Sequence, residues 1–166
     1  MTDRGPGDDV AGITAQWARE RPELDVTPIE VFGRIAKLHR AQIEASEHAY
    51  RQLGISSGDF DVLATLRRAG RPYRLTPSDL TSSMMISSGG VTQRVDRLER
   101  VGLVERRPHE SDRRSTTVAL TPGGRRLIDK AMPLHLDAER ALLVGLSKAD
   151  RTALAKLLKK ALAKSE

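Results

Sequence analysis

The chain has 166 residues, with 28 Lys and Arg against 22 Asp and Glu and a formal net charge of +6 at neutral pH. That length fits one compact domain with an appended helix, and the absence of cysteine excludes disulfide scaffolds, thiolate metal sites, Cys nucleophiles and thiol switches. No apolar run approaches the ~18 residues of a membrane span, so the expectation is a soluble protein without a membrane partner.

Charge is unevenly placed: residues 1–30 carry a net −4 and residues 31–166 a net +10. Such a body either meets a polyanion or is simply kept in solution by its charge. The opening "MTDRGPGDD" shows neither a basic n-region nor an apolar h-region, which makes the cytoplasm the default location. Val10, Ile13, Ala15 and Trp17 then recur at roughly helical spacing before Pro22, predicting a short helix near 9–20. Thr27 as a cap and Pro28 at the first helical position open a second helix of about 25 residues, apolar at Ile29, Phe32, Ile35, Ala36, Leu38 and Ile43 and ended by Gly54. A rod that long in a small protein predicts a partner along its length, most simply a second copy.

Phe60, Leu63, Ala64 and Leu66 share one face of a third helix, ended by Gly70 and Pro72. Thr76 with Pro77 starts a fourth, and Ser87 or Ser88 opens a fifth after a tight turn. Val91, Val95 and Leu98 form the buried stripe of this fifth helix, leaving Gln93, Arg94, Arg97 and Arg100 on its other faces. Gly102 stops it, and "LVERR" and "STTVAL" read as two strands joined by "PHESDRR", the only β-structure expected. Thr121 and Pro122 launch a further helix, kinked or interrupted at Pro133, and "SKADRTALAKLLKKALAKSE" closes with an amphipathic one.

Two short helices joined by a turn and followed at once by a basic hairpin form a helix-turn-helix with a wing. A helix fits the major groove of duplex DNA, where Ser88, Thr92, Gln93 and Arg97 offer short or forked donors to base edges; Ser78 on the preceding helix joins this set. The hairpin tip holds Asp112, Arg113 and Arg114 together. Either the carboxylate braces one guanidinium while the other enters a neighbouring minor groove, or the three are a solvated surface cluster, and spacing alone leaves both open.

The stretch "GGVTQRVDRLERVGLVERRPHESDRRSTTVALTPGG" resembles the winged helix of the MarR family of bacterial transcription regulators, in Leu98 to Arg106, Asp112 to Arg114 and Leu120 to Gly124. The resemblance covers nearly the whole chain. It implies a mainly α fold with a small β-wing, a homodimer joined through its terminal helices, and two winged helices facing a pseudo-palindromic operator. It divides the chain into an N-terminal extension (1–26), dimerisation helices (27–55 and 121–166) and a winged helix-turn-helix (56–120), and makes Arg114 the wing arginine with Arg113 beside it. The extra N-terminal helix is similar to that of the urate-responsive branch of the family. Trp17, Asp61, Arg68, Arg94 and Arg106 stand where that branch places its effector site, with Phe60 where a tryptophan is expected. The resemblance thus implies a flat organic anion stacking on Trp17 and competing with Asp61 for Arg94 or Arg106.

Other signals carry less. His39, His48, His109 and His135 have no ligand spacing and read as ordinary surface or helix residues, so no metal is expected. "HESD" holds no nucleophile, base and acid in mutual reach, "SSGG" and "LTPGG" lack the end of a phosphate loop, and Met84 with Met85 reads as core filling. The expectation is therefore a cofactor-free, non-enzymatic, ligand-responsive repressor of duplex DNA. The rival readings are a regulator of the same fold without a small ligand and, further off, a small helical enzyme.

Overall fold

The computed structural model describes residues 9–84, 90–108 and 116–163. Its elements are α1 (Asp9–Glu20), α2 (Thr27–Gln52), α3 (Ser57–Arg68), β1 (Arg74–Leu75), α4 (Pro77–Ser83), α5 (Val91–Arg100), β2 (Val104–Pro108), β3 (Thr116–Leu120), α6 (Pro122–Leu142) and α7 (Lys148–Leu162). The chain divides into two compact units, Met1–Ile43 and Glu44–Glu166.

In the first unit, α1 rests on the start of α2 through Val10, which is 2% exposed. The contact is close because Gly33 lacks a side chain: a Cβ there would lie 3.0 Å from a Val10 methyl. Lys37 Nζ meets Asp9 2.9 Å away. The remaining apolar side chains find little cover in the chain, with Val31 57% and Phe32 70% exposed.

The second unit holds the core. Val62, Leu63 and Leu66 of α3, Leu80 of α4, Val91, Val95 and Leu98 of α5, Val104 and Val118 of the sheet, and Ile128 and Ala131 of α6 are all buried in one cluster. Local sequence sets the element starts. Ser56 and Ser147 make full capping boxes with Asp59 and Asp150, and Thr76 and Thr121 each accept from the third helical N–H behind a proline. Gly102, at φ +71°, supplies the left-handed turn that ends α5 and starts the wing.

The structure corrects three expectations and narrows a fourth. The hairpin is not alone: β1 pairs antiparallel with β3 (Arg74↔Ala119, Leu75↔Val118), making a three-stranded sheet ordered β1-β3-β2. Two residues are too few to show alternation, and β1 exists because β3, buried at Thr117 through Leu120, offers a free edge. Of the two outcomes expected at Pro133, interruption does not occur, and α6 continues through it. Thr27 is the first residue of α2 rather than its cap, and the Asp25 carboxylate accepts from both its N–H (3.0 Å) and its hydroxyl (2.7 Å). Helix α5 is capped by Gly90 at φ +80°, without a side-chain cap bond; the proposed openers Ser87 and Ser88 lie outside the described residues.

Candidate nucleic-acid interface

Helices α4 and α5 are the two limbs of the helix-turn-helix, and β2–β3 form the stem of the wing. The Thr76 hydroxyl accepts from Asp79 N at 3.1 Å, fixing the start of α4 and leaving Ser78 exposed on its first turn. At roughly 100° per residue, Val91, Val95 and Leu98 define the buried stripe of α5. Gln93, Asp96 and Arg100 face away from that stripe, with Thr92 and Arg97 exposed on its two flanks. Arg100 is therefore in line with Gln93, two turns further along, a position that the sequence reading left out of the interface. The residues of the wing tip expected to touch DNA, Arg113 and Arg114, and Ser88 of the turn lie outside the described residues.

Arg97 is on the flank of α5 and is engaged within the unit: its Nη2 pairs with the buried carboxylate of Asp59 and reaches Ser56 Oγ at 2.6 Å. Arg106 is likewise engaged. Its guanidinium bridges Asp96 and Glu99 of α5, and its backbone N–H donates to Glu99 Oε1 at 3.0 Å. The hydrogen bond to Asp96, then the Glu99 charge, raises the Arg106 pKa further above its usual value. The wing stem is thereby tied to the helix it flanks.

Of the expected effector site, the four residues in the second unit, Asp61, Arg68, Arg94 and Arg106, are only partly brought together. Asp61 faces Arg94 and His135 electrostatically, yet burial outweighs both and raises its pKa above the usual carboxylate value. Arg94 threads past Gly58, where a Cβ would lie 2.5 Å from its Nε, and its buried Nη1 has no hydrogen-bond partner among the described residues. Arg68 instead donates to the carbonyl of Ser83 at the end of α4. Arg106 takes Asp96 and Glu99 rather than Asp61. Trp17 lies on α1 in the first unit, with 45% of its surface exposed.

His135 is a helix residue, on α6, and it is engaged by neighbours from α2 and α3. Its ring lies 4.7 Å from Phe60, which stacks on Tyr50 at the same separation. The Tyr50 hydroxyl is 2.8 Å from His135 Nδ1, and Glu139 is 3.2 Å from Nε2. Burial pushes the Tyr50 phenol up to about 12. The i, i+4 spacing of His135 and Glu139 was the one sequence signal available for this cluster. Asp59, Ser56 and Gly58 carried none as interface residues, because their partners lie far along the chain.

The MarR family model matches residues 53–115. The chain is 39% identical over 150 residues to the transcriptional regulator PecS of Dickeya dadantii, covering 90% of both chains. This protein belongs to the MarR family. A second relative, the transcriptional repressor YetL of Bacillus subtilis, is 27% identical over 86% of this chain and 85% of its own. Among solved structures, a mutant MarR from Escherichia coli complexed with operator DNA superposes with a TM-score of 0.71 at 30% identity, over 84% of this chain and 99% of that one. Bordetella bronchiseptica BpsR, whose DNA binding is regulated by 6-hydroxynicotinic acid, superposes with a TM-score of 0.69 at 25% identity, over 78% and 91%. As a MarR-family winged-helix protein the chain is a DNA-binding transcription regulator rather than an enzyme. Among the described residues, no helix is long and apolar enough to cross a membrane.

Proposed function

We propose that this MarR-family regulator is a cytoplasmic homodimeric repressor that binds a pseudo-palindromic operator and is released from it by a small organic anion. Ser78, Thr92 and Gln93, with Arg100 in line with Gln93, form the groove-facing set, and Ser88, Arg113 and Arg114 complete it from the turn and wing tip. Paired recognition helices of a two-fold dimer read half-sites about 34 Å apart, so the operator is an inverted repeat. The exposed apolar row of α2, with Phe32 70% and Val31 57% exposed, and Leu157 and Leu162 on α7, at 65% and 67%, give the terminal helices a surface for a second copy.

The anion reading rests on one observation: the buried Nη1 of Arg94 has no acceptor among the described residues beside an Asp61 that burial drives toward its neutral form. A guanidinium nitrogen in that state is costly, and a carboxylate or enolate ligand supplies the missing acceptor. Because Arg94 belongs to α5, such a ligand acts on the DNA-reading helix directly. It releases DNA only if it prefers the arrangement that cannot bind DNA. The engagement of Arg106 by Asp96 and Glu99 favours the rival reading for that residue, a static brace outside the effector site.

The test titrates urate, 6-hydroxynicotinate and other aromatic acids against protein bound to an operator selected from random duplex DNA, with fluorescence anisotropy as readout. Release by one of them, lost in Arg94→Gln and blunted in Asp61→Asn, is the expected result. Full release from the Arg94→Gln protein removes Arg94 from the site, and the absence of any release leaves a regulator without a small ligand.

A further inference from the structure

We infer that Arg97 acts as a positioning residue: latched to Asp59 and Ser56 at the N-terminus of α3, it fixes the angle of the recognition helix α5 instead of touching DNA. The Asp59 side chain is only 3% exposed. One of its oxygens accepts from the Ser56 N–H and the Ser56 hydroxyl, both at 2.9 Å, within the α3 capping box. Arg97 Nη2 pairs with that same oxygen and meets the Ser56 hydroxyl at 2.6 Å. The carboxylate is thus held in place by the helix cap before Arg97 arrives, and a cation paired to a carboxylate so little exposed is costly to remove.

The latch adds to what the apolar contact of α5 sets. Val91, Val95 and Leu98 bury one stripe, but hydrophobic burial is non-directional and sets the roll of the helix about that stripe less sharply than a hydrogen-bonded ion pair does. Base-edge hydrogen bonds tolerate errors of only about 0.5 Å and 10–20° in the groups that make them. Arg97 grips α3 from the flank of α5, and Arg94, three residues earlier and on the same side, passes over Gly58 in the same first turn of α3. Together they limit the roll and hold the exposed Thr92, Gln93 and Arg100 outward. Arg97's own share of this role does not depend on an effector, since its partners Asp59 and Ser56 lie outside the proposed anion site.

The test compares Arg97→Met, Asp59→Asn and the double variant for binding to the selected operator and to a shuffled duplex of equal length, across a series of KCl concentrations. Each single variant is expected to lose about tenfold in operator affinity, the scale of one mismatched base pair. Shuffled-duplex affinity and the slope of log K against log salt stay unchanged, and the double variant is no weaker than the weaker single one. A slope reduced by about one in Arg97→Met alone marks a phosphate contact and overturns the proposal. So does tighter binding by Asp59→Asn, which would mean that the latch withholds Arg97 from DNA, and so does unchanged operator binding in both. Arg97→Lys guards against misfolding of the methionine variant: it keeps the charge but not the fork, and full operator affinity in it also refutes the latch.

Discussion

Replacing Gly124 by alanine is expected to pry the base of the wing from the first turn of α6. An alanine Cβ at this position would lie 2.9 Å from the Leu103 carbonyl carbon and closer still to its oxygen. Ordinary carbon–carbon contact is about 3.5–4.0 Å, so backbone must retreat by roughly 1 Å. The Leu103 oxygen that has to move accepts from the Thr121 N–H and the Thr121 hydroxyl, both at 3.2 Å, and a retreat of that size takes both out of hydrogen-bond range. Losing them costs about 1 kcal/mol each, and overpacking adds about 1–3 kcal/mol. The better helix propensity of alanine returns about 1 kcal/mol. The net is a loss of about 2–4 kcal/mol, or roughly 5–15 °C in Tm for a chain of this size. Its neighbour is the control: a Cβ on Gly123 meets nothing nearer than the Thr121 hydroxyl at 3.5 Å and the Gly102 carbonyl at 3.7 Å, so Gly123→Ala is expected to be neutral or to gain up to about 1 kcal/mol. Urea and thermal unfolding followed by circular dichroism decide the matter. Equal stability of the two variants would refute the packing argument, since the sequence gives these adjacent glycines the same local context.

The chain has two tyrosines, and they should ionise in separate steps of a near-ultraviolet titration. A hydrogen bond from Arg71, aided by the charges of Arg67, Arg71 and Arg125, brings Tyr73 below 10.0, while burial holds Tyr50 near 12; a single step that Tyr73→Phe leaves at full amplitude would contradict both. For Asp61, burial raises the folded pKa above the unfolded value of 3.8, so the folded state binds the proton more tightly and stability falls as pH rises from there through the folded value. Asp61→Asn cannot ionise; its stability relative to the wild type should therefore improve across that window and hold the gain to pH 7. A relative gain greatest at the lowest pH reverses the sign and rules out burial as the cause. Arg106→Ala removes the bridge to Asp96 and Glu99; with every partner a third or more exposed, the stability cost stays at about 1 kcal/mol or less. Operator affinity should nevertheless drop, because the wing stem is no longer tied to α5, and unchanged affinity would show that the wing is placed by its sheet alone.

The local features of the fold were legible because their signals lie within a few residues of one another. The cap-and-proline starts at Thr76 and Thr121, the stripe of Val91, Val95 and Leu98, and the stop at Gly102 each depend on neighbours up to seven positions away. Together with the winged-helix motif they were enough to reach the family and the order of elements. The missed strand β1 had no such signal, since two residues become a strand only when the edge of β3 arrives beside them.

Sequence by itself thus determined the helices, the wing and the kind of partner, through period, capping and the local density of positive charge. Tertiary structure alone decided which anion each arginine takes: Asp59 for Arg97, 38 residues away, and Asp96 with Glu99 rather than Asp61 for Arg106. It also decided that Gly58 and Gly124, but not Gly123, mark close approaches. Charge attraction carries no address along the chain, so among 28 basic and 22 acidic side chains every pairing is open until the backbone brings two of them within reach.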